Sequence, residues 1–260
     1  MSTPITGVSS MATRLILGAL AERYETASGV AVDIRSMGGV DAARLVRGGE
    51  ATDLVVLASK VMSQLEAEGH LLAGGITPFT RSGMAVAIPA GADRPDISSE
   101  EAVRLAISTA RKVGYSTGPS GDHLLGLCER WGLLPGMQDR MLKAPPGVPV
   151  ASLVAEGEVD LGFQQLSELM NTPGVPVGSL VAKGEADLGF QQLSELIHVP
   201  GITVLGPLPP EIQAVTVFAA GVASTSARPD DTRRLIDYLA SPETAEVKRE
   251  QGMEPADEAV

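Results

Sequence analysis

The chain has 260 residues, 44% of them apolar, and a formal net charge of -12. That is enough apolar material for one large domain or two lobes. The acidic balance and the lack of any Lys/Arg run exclude a nucleic-acid footprint, which needs a basic face to displace counterions from phosphates. Aromatic residues make up 3% of the chain, too few to supply stacking platforms for single strands. Cys128 is the single cysteine, which excludes an intrachain disulfide and a cysteine-based structural zinc site. His70, His123 and His198 are scattered and define no metal site. No run approaches about 18 consecutive apolar residues, so no membrane insertion is expected.

Neither a basic region nor an apolar leader core precedes Ile5. Two locations follow as expectations. The protein is periplasmic if a leader has been removed and a Met added, and cytoplasmic if Met1 is native.

In chain order, Ile5 to Val8 reads as a strand and Met11 to Thr26 as a helix with Leu15, Leu20 and Tyr24 among its apolar positions. Val30 to Ile34 alternates apolar and polar residues, as a half-buried strand does, and Asp41 to Arg47 reads as a helix. Asp53 to Leu57 is a continuous apolar strand of the kind buried on both faces. A helix over Lys60 to Glu68 and a strand over Met84 to Ile88 follow. The 90–95 stretch is rich in Pro and Gly, and Ser98-Ser99-Glu100-Glu101 has the spacing of a capping box ahead of a helix over Glu101 to Lys112. Val113 to Tyr115 is a short strand, Ser116 to Gly121 a small-residue turn, and Asp122 to Trp131 a helix. Strands over Ile202 to Leu205 and Val215 to Ala220, then helices over Thr232 to Leu239 and Ala245 to Gln251, close the chain. Alternating strands and helices predict parallel sheets with right-handed crossovers.

An internal repeat dominates the middle of the chain. Residues 148–174 and 175–201 align without gaps, and 21 of the 27 positions are identical. Each copy predicts a helix (Val150 to Glu156, or Val177 to Lys183), a strand (Asp160 to Phe163, or Asp187 to Phe190) and a second helix led by two glutamines. Solenoids need roughly three or more copies to bury a continuous core, so two copies inside a non-repeating chain read as a tandem duplication. A fold has one place for such an αβα unit, and the other copy becomes an insertion. Its apolar face and strand edge then need extra sheet pairing, a swapped segment or a homo-oligomer contact.

Four strand-to-helix junctions carry small polar residues: Ser9-Ser10, Ser36-Met37-Gly38-Gly39, Ala58-Ser59 and Ser116 to Gly121, which includes Ser120. Helix N-termini offer unpaired N–H groups and the positive end of a dipole, so such junctions bind anions without formal charge. In α/β sheets they gather at the carboxyl ends of the strands, where ligands sit. The 116–121 turn lacks the Gly-Lys-Ser/Thr ending of a phosphate loop, and no Gly-x-Ser-x-Gly elbow surrounds Ser9-Ser10. His123 reads either as a ligand contact or proton shuttle, or as a helix-surface histidine. Gln164-Gln165 and Gln191-Gln192 each follow an Asp-Leu-Gly-Phe strand, where an amide donates to an oxyanion or caps the next helix. Arg14, Arg44 and Arg81 lie near the junctions and can fork onto a carboxylate.

These motifs carry a resemblance. Apart from one repeat copy, the chain resembles the type II periplasmic-binding-protein fold of the molybdate-binding kind. It does so through Ser9-Ser10, Gly-Val-Ala-Val-Asp, Ser-Met-Gly-Gly-Val, Glu-Ala-Thr-Asp-Leu-Val-Val, the Pro-Ser-Gly turn at 119–121, Gly-Glu-Ala-Asp-Leu-Gly-Phe-Gln-Gln, and Tyr-Leu-Ala-Ser-Pro-Glu-Thr-Ala-Glu. The resemblance implies an α/β, two-lobed fold, each lobe a mostly parallel sheet flanked by helices, with one duplicated αβα segment inserted. Lobe 1 would span 1–84 and 216–260, and lobe 2 would span 85–215. It also implies an anion clamped by Ser10, Gly39 and Ser120, with Val148 or Val175 and Gln165 or Gln192 completing the set. Ser9, Gly38, Ser59 and His123 stand beside these as further ligand-binding candidates. Tyrosine is frequent at the last position in molybdate binders, where this chain has glutamine.

The repeated block followed by Gly-Pro-Leu-Pro-Pro-Glu-Ile-Gln is also similar to the aconitate isomerase branch, whose members shift a double bond without a cofactor. Two functions are therefore expected. One is a solute-binding protein clamping a small oxyanion or polycarboxylate, with an ABC transporter permease as partner if the chain is exported. The other is a cofactor-independent isomerase of an unsaturated polycarboxylate, for which the sequence displays no obvious catalytic base.

Overall fold

The computed structural model describes residues 3–89, 95–109, 113–115, 119–137, 139–143, 161–163, 189–192 and 202–257. The chain divides into two compact units, Met1–Ser82 with Thr216–Val260, and Gly83–Val215.

The first unit begins with β1 (Ile5–Ser10), a 3-10 turn (Met11–Thr13) and α1 (Arg14–Ser28). Ile16, Leu17, Leu20 and Tyr24 recur at helical spacing and are the buried positions of α1. Gly29 ends the helix in the left-handed region, with φ 71° and its N–H donated to Glu25 O. β2 (Val32–Met37), α2 (Gly39–Arg47), β3 (Leu54–Ala58) and α3 (Ser59–Ala67) follow, and β4 (Thr77–Pro89) runs past the unit boundary.

The second unit contains α4 (Glu100–Thr109), β5 (Val113–Tyr115), α5 (Pro119–Arg130), α6 (Leu134–Met137), β6 (Met141–Lys143), β7 (Leu161–Phe163), β8 (Gly189–Gln192) and β9 (Ile202–Pro207). The chain closes with β10 (Val215–Val222), α7 (Pro229–Ala240), α8 (Ala245–Glu250) and β11 (Glu254–Pro255).

In the first unit the strand order is β11-β4-β10-β3-β1-β2. β1 pairs in parallel with β2 and with β3, whereas β10 lies antiparallel to β3. The side-chain period of two splits β3 between two cores. Leu54 and Val56 pack with α1, α7 and α8 through Leu17, Leu20, Leu235, Leu239 and Val247. Val55 and Leu57 pack with α2 and α3 through Ala43, Val46, Met62 and Leu65. A strand with helices on both faces reads as an unbroken apolar run, which is why Leu54–Leu57 shows no alternation. A Cβ at Gly221 would lie 2.9 Å from Met62 Cε, so the end of that side chain would have to move to admit one.

In the second unit α4 and α5 bury Val103, Ile107, Leu124, Leu127 and Cys128 against Met137, Leu208 and Ile212. Strands β6, β5 and β7 form a parallel sheet in that order, while β4 is flanked by β8 and β9, both antiparallel to it. Ser99 accepts a hydrogen bond from the Ala102 N–H at 3.2 Å, so α4 opens at Glu100, one residue earlier than the sequence pattern predicts. β2 likewise continues to Met37, beyond the alternating stretch that ends at Ile34. Its last residues are polar or half-buried, and parallel pairing to Ser9 and Ser10 holds them in the sheet.

Candidate functional site

In the first unit three junctions share the carboxyl end of the parallel strands. Ser9 pairs in register with Ser36 and with Val56, and Ser10 with Met37. Ser9 is fully buried, and its hydroxyl lies 2.8 Å from that of Ser36 and 3.3 Å from Ser10 O. The Ser9 hydroxyl is thus spent on joining β1 to β2.

Ser10, 5% exposed, turns its Oγ to accept the Ala12 N–H at 3.2 Å. The Thr13 hydroxyl donates to Ser10 O at 2.9 Å. Together these bonds fix the turn into α1 and leave the Ser10 hydroxyl proton without an acceptor among the described residues. Thr13 went unnoticed in the sequence, although a Ser followed three residues later by Thr at a helix start is a local turn signature.

Gly38 is buried and supplies the carbonyl that accepts the Ala42 N–H at 2.7 Å, which starts α2. Its φ of -52° is open to any residue. Gly39 is half-buried, and a Cβ built on it would meet nothing within 4 Å. Neither glycine is demanded by backbone geometry or by packing around Gly39, so the bare backbone at the α2 N-terminus is available for close approach by a ligand. Ser59 is half-buried and donates its hydroxyl to Val217 O at 3.1 Å, tying α3 to β10.

Arg44 is paired with Asp41 at 2.6 Å, one turn away on α2. Arg23, Arg35 and Arg47 are paired with Glu250, Glu50 and Glu68. Arg81 lies on β4 in register with Glu254. Arg14, exposed at the first position of α1, has no ion pair among the described residues. The sequence named three arginines near the junctions, and among the described residues Arg14 alone of the three has no ion pair or cross-strand neighbour.

In the second unit Ser120 is the second residue of α5, whose first position is Pro119, a residue preorganised to open a helix. His123 is half-buried on the same helix, with Nε2 3.1 Å from Ile212 O. A carbonyl only accepts, so Nε2 carries the proton and Nδ1 is left as the basic nitrogen of the neutral ring. Cys128 is fully buried and burial pushes its thiol up to about 11, so it carries no nucleophilic thiolate at neutral pH. Gln192 ends β8 opposite Met84. Val148, Val175 and Gln165 lie outside the described residues. Among the described residues, no three His, Cys, Asp or Glu side chains gather as a metal site, and no helix is long and apolar enough to cross a membrane.

Parallel strands that end in small polar junctions, on units traversed by β4 and β10, define the periplasmic-binding-protein class of fold. The chain belongs to the bacterial extracellular solute-binding protein family, whose sequence pattern matches residues 5–180 and again 170–254. It is 33% identical over 266 residues to the aconitate isomerase of a Pseudomonas species, covering 97% of this chain and 89% of that one. Solved structures agree on the fold. The periplasmic molybdate-binding protein of Azotobacter vinelandii superposes with a TM-score of 0.68 at 19% identity, covering 96% of this chain and 98% of that chain. The tungstate-binding protein of Desulfovibrio alaskensis gives 0.66 at 13% identity, covering 99% and 100%. An ABC transporter structure from Clostridium perfringens gives 0.57 at 13% identity, covering 97% and 85%.

Proposed function

We propose that this solute-binding protein takes a small anion at its helix N-termini, and that the anion is an organic di- or tricarboxylate. The observation that carries the ligand class is the Arg14 guanidinium at the start of α1, four residues beyond Ser10, which has no ion pair among the described residues. Its planar fork of donors matches a carboxylate, and a charge-assisted bond of that kind contributes about 1.5–3 kcal/mol. Around it the first unit contributes the Ser10 hydroxyl and the N–H groups opening α1 and α2, while the Ser9 and Ser59 hydroxyls are already engaged. Molybdate- and tungstate-binding neighbours of the same fold support a small anionic ligand, and the ABC transporter likeness supports delivery to a membrane permease.

A second reading, isomerisation of an unsaturated polycarboxylate, is favoured by the identity to aconitate isomerase. A double-bond shift removes a proton from one carbon and returns it to another, so it requires a base beside a stabilised carbanion. His123 Nδ1 is the basic nitrogen on α5 that suits the task.

Calorimetric titration with citrate, cis- and trans-aconitate, molybdate, tungstate and sulfate tests the ligand class, with proton NMR of each carboxylate followed over hours. Heat from the carboxylates without chemical change supports the binding protein. Heat from molybdate or tungstate alone overturns the carboxylate assignment. Vinyl resonances of the second aconitate isomer growing from the first establish the isomerase.

A further inference from the structure

We infer that the two copies of the repeat divide between them the pairings of a single strand, so that one 27-residue unit is removable and the remaining copy fills the place alone. The sequence Leu-Gly-Phe-Gln-Gln occurs at 161–165 and again at 188–192. The first occurrence supplies β7, parallel to β5, with Gly114 opposite Gly162 and Tyr115 opposite Phe163. The second supplies β8, antiparallel to β4, with Ala87 opposite Gly189 and Val86 opposite Phe190. Gly162 and Gly189 are the same position of the repeat, as are Phe163 and Phe190. A strand has two hydrogen-bonding edges, and among the described residues each copy uses one of them.

The registers are compatible. One Gly-Phe strand can hold Gly114 and Tyr115 along one edge while it holds Ala87 and Val86 along the other. β7 and β8 run close to each other, yet no ladder joins them among the described residues. Among the described residues the repeated strand therefore stands as a pair of strands with one paired edge each, where one fully paired strand fits. The match to the family pattern points the same way, since its two stretches, 5–180 and 170–254, overlap inside the repeat. Removing 27 residues shortens a connection, which raises no entropic barrier to closing the sheet. This inference rests on strand pairing and is independent of the ligand class.

The test compares the full chain with two deletions, one lacking 148–174 and one lacking 175–201, by thermal unfolding and amide hydrogen exchange. Both deletions are expected to fold with a midpoint equal to or above that of the full chain. Their surviving Leu-Gly-Phe-Gln-Gln amides should exchange more slowly than either copy does in the full chain, because both edges are then paired. A folded deletion chain with a lower midpoint, or with unchanged exchange in that strand, overturns the inference. If a deletion fails to accumulate, proline substitution in the full chain decides the matter. Gly162→Pro and Gly189→Pro should each be tolerated singly, while the double substitution unfolds the second unit. Either single substitution costing as much as the double overturns the proposal.

Discussion

The hydroxyl oxygens of Ser9 and Ser36 lie 2.8 Å apart, across a register pair that joins the carboxyl ends of β1 and β2. The bond ties the carboxyl ends of β1 and β2 together one residue before Ser10 and the turn into α1. Replacing Ser9 with Ala leaves Ser36 without this partner and is expected to cost about 1 kcal/mol, read as a lower denaturant midpoint at unchanged m-value.

Arg14 offers the sharpest test of ligand class. Arg14→Gln is expected to weaken citrate or aconitate binding by roughly 10-fold to 100-fold, the loss of one charge-assisted bond, with little change in the unfolding temperature. Unaltered carboxylate affinity in calorimetry would remove the basis for the polycarboxylate assignment.

Gly39 separates ligand approach from folding. Gly39→Ala places a methyl in open space at the start of α2, so stability should hold or rise by about 0.5–1 kcal/mol. If the anion sits at the α2 N-terminus as proposed, ligand affinity should fall, because the methyl would stand in front of the backbone N–H groups. Thermal unfolding and titration of one sample check both halves.

Asp53 makes part of the stability of the first unit pH-dependent. Burial alone would raise its carboxyl, but the Thr6 N–H, the Ser226 and Thr6 hydroxyls and the Ala227 N–H together hold it below the usual carboxylate range. A depressed folded value contributes stability fully above the unfolded value of about 3.9, and that contribution is lost as pH falls through the folded value. Asp53→Asn turns a donor amide toward these donors and is expected to cost about 1–3 kcal/mol at pH 7. The gap to the wild type should shrink below about pH 4 in unfolding curves taken across the acid range.

Lys248 is also held below its usual value, but here the charged form is the one that folding disfavours. Burial pushes its ammonium down to about 8, against the pull of Asp257, with Nζ 5.8 Å from the centre of the Phe79 ring. The unfolded chain binds the proton more tightly, so stability should rise as pH climbs from about 8 toward the free lysine value of about 10.4. Lys248→Met is expected to be more stable than the wild type at pH 7 and to lose that rise. A flat wild-type profile across the window would contradict the burial of the charge.

Much of the fold was legible because local patterns carried it. The apolar run ending at Leu57 declared a strand covered on both faces, and Leu20 and Tyr24 marked the buried side of α1, whereas Leu15, read beside them, is exposed. The polar junctions were legible as well, since small residues between strand and helix are a short-range signal. β11 was not, because two residues hold no periodicity and its existence depends on Arg81 and Thr80 lying opposite.

The sequence by itself determined the α/β alternation, the acidic character, the small polar junctions and the presence of a 27-residue repeat. These depend on neighbours a few residues apart. The tertiary structure alone decided which of the junction hydroxyls are already engaged. Ser9 is engaged by a residue 27 positions away and Ser59 by a carbonyl 158 positions away, while Arg14 is left without an ion pair among the described residues. It also decided that two strands of identical sequence take different partners, one pairing with β5 and the other with β4. Hydrogen-bond partners and strand edges are brought together by the packing of the whole unit, and a one-dimensional pattern holds no record of that distance.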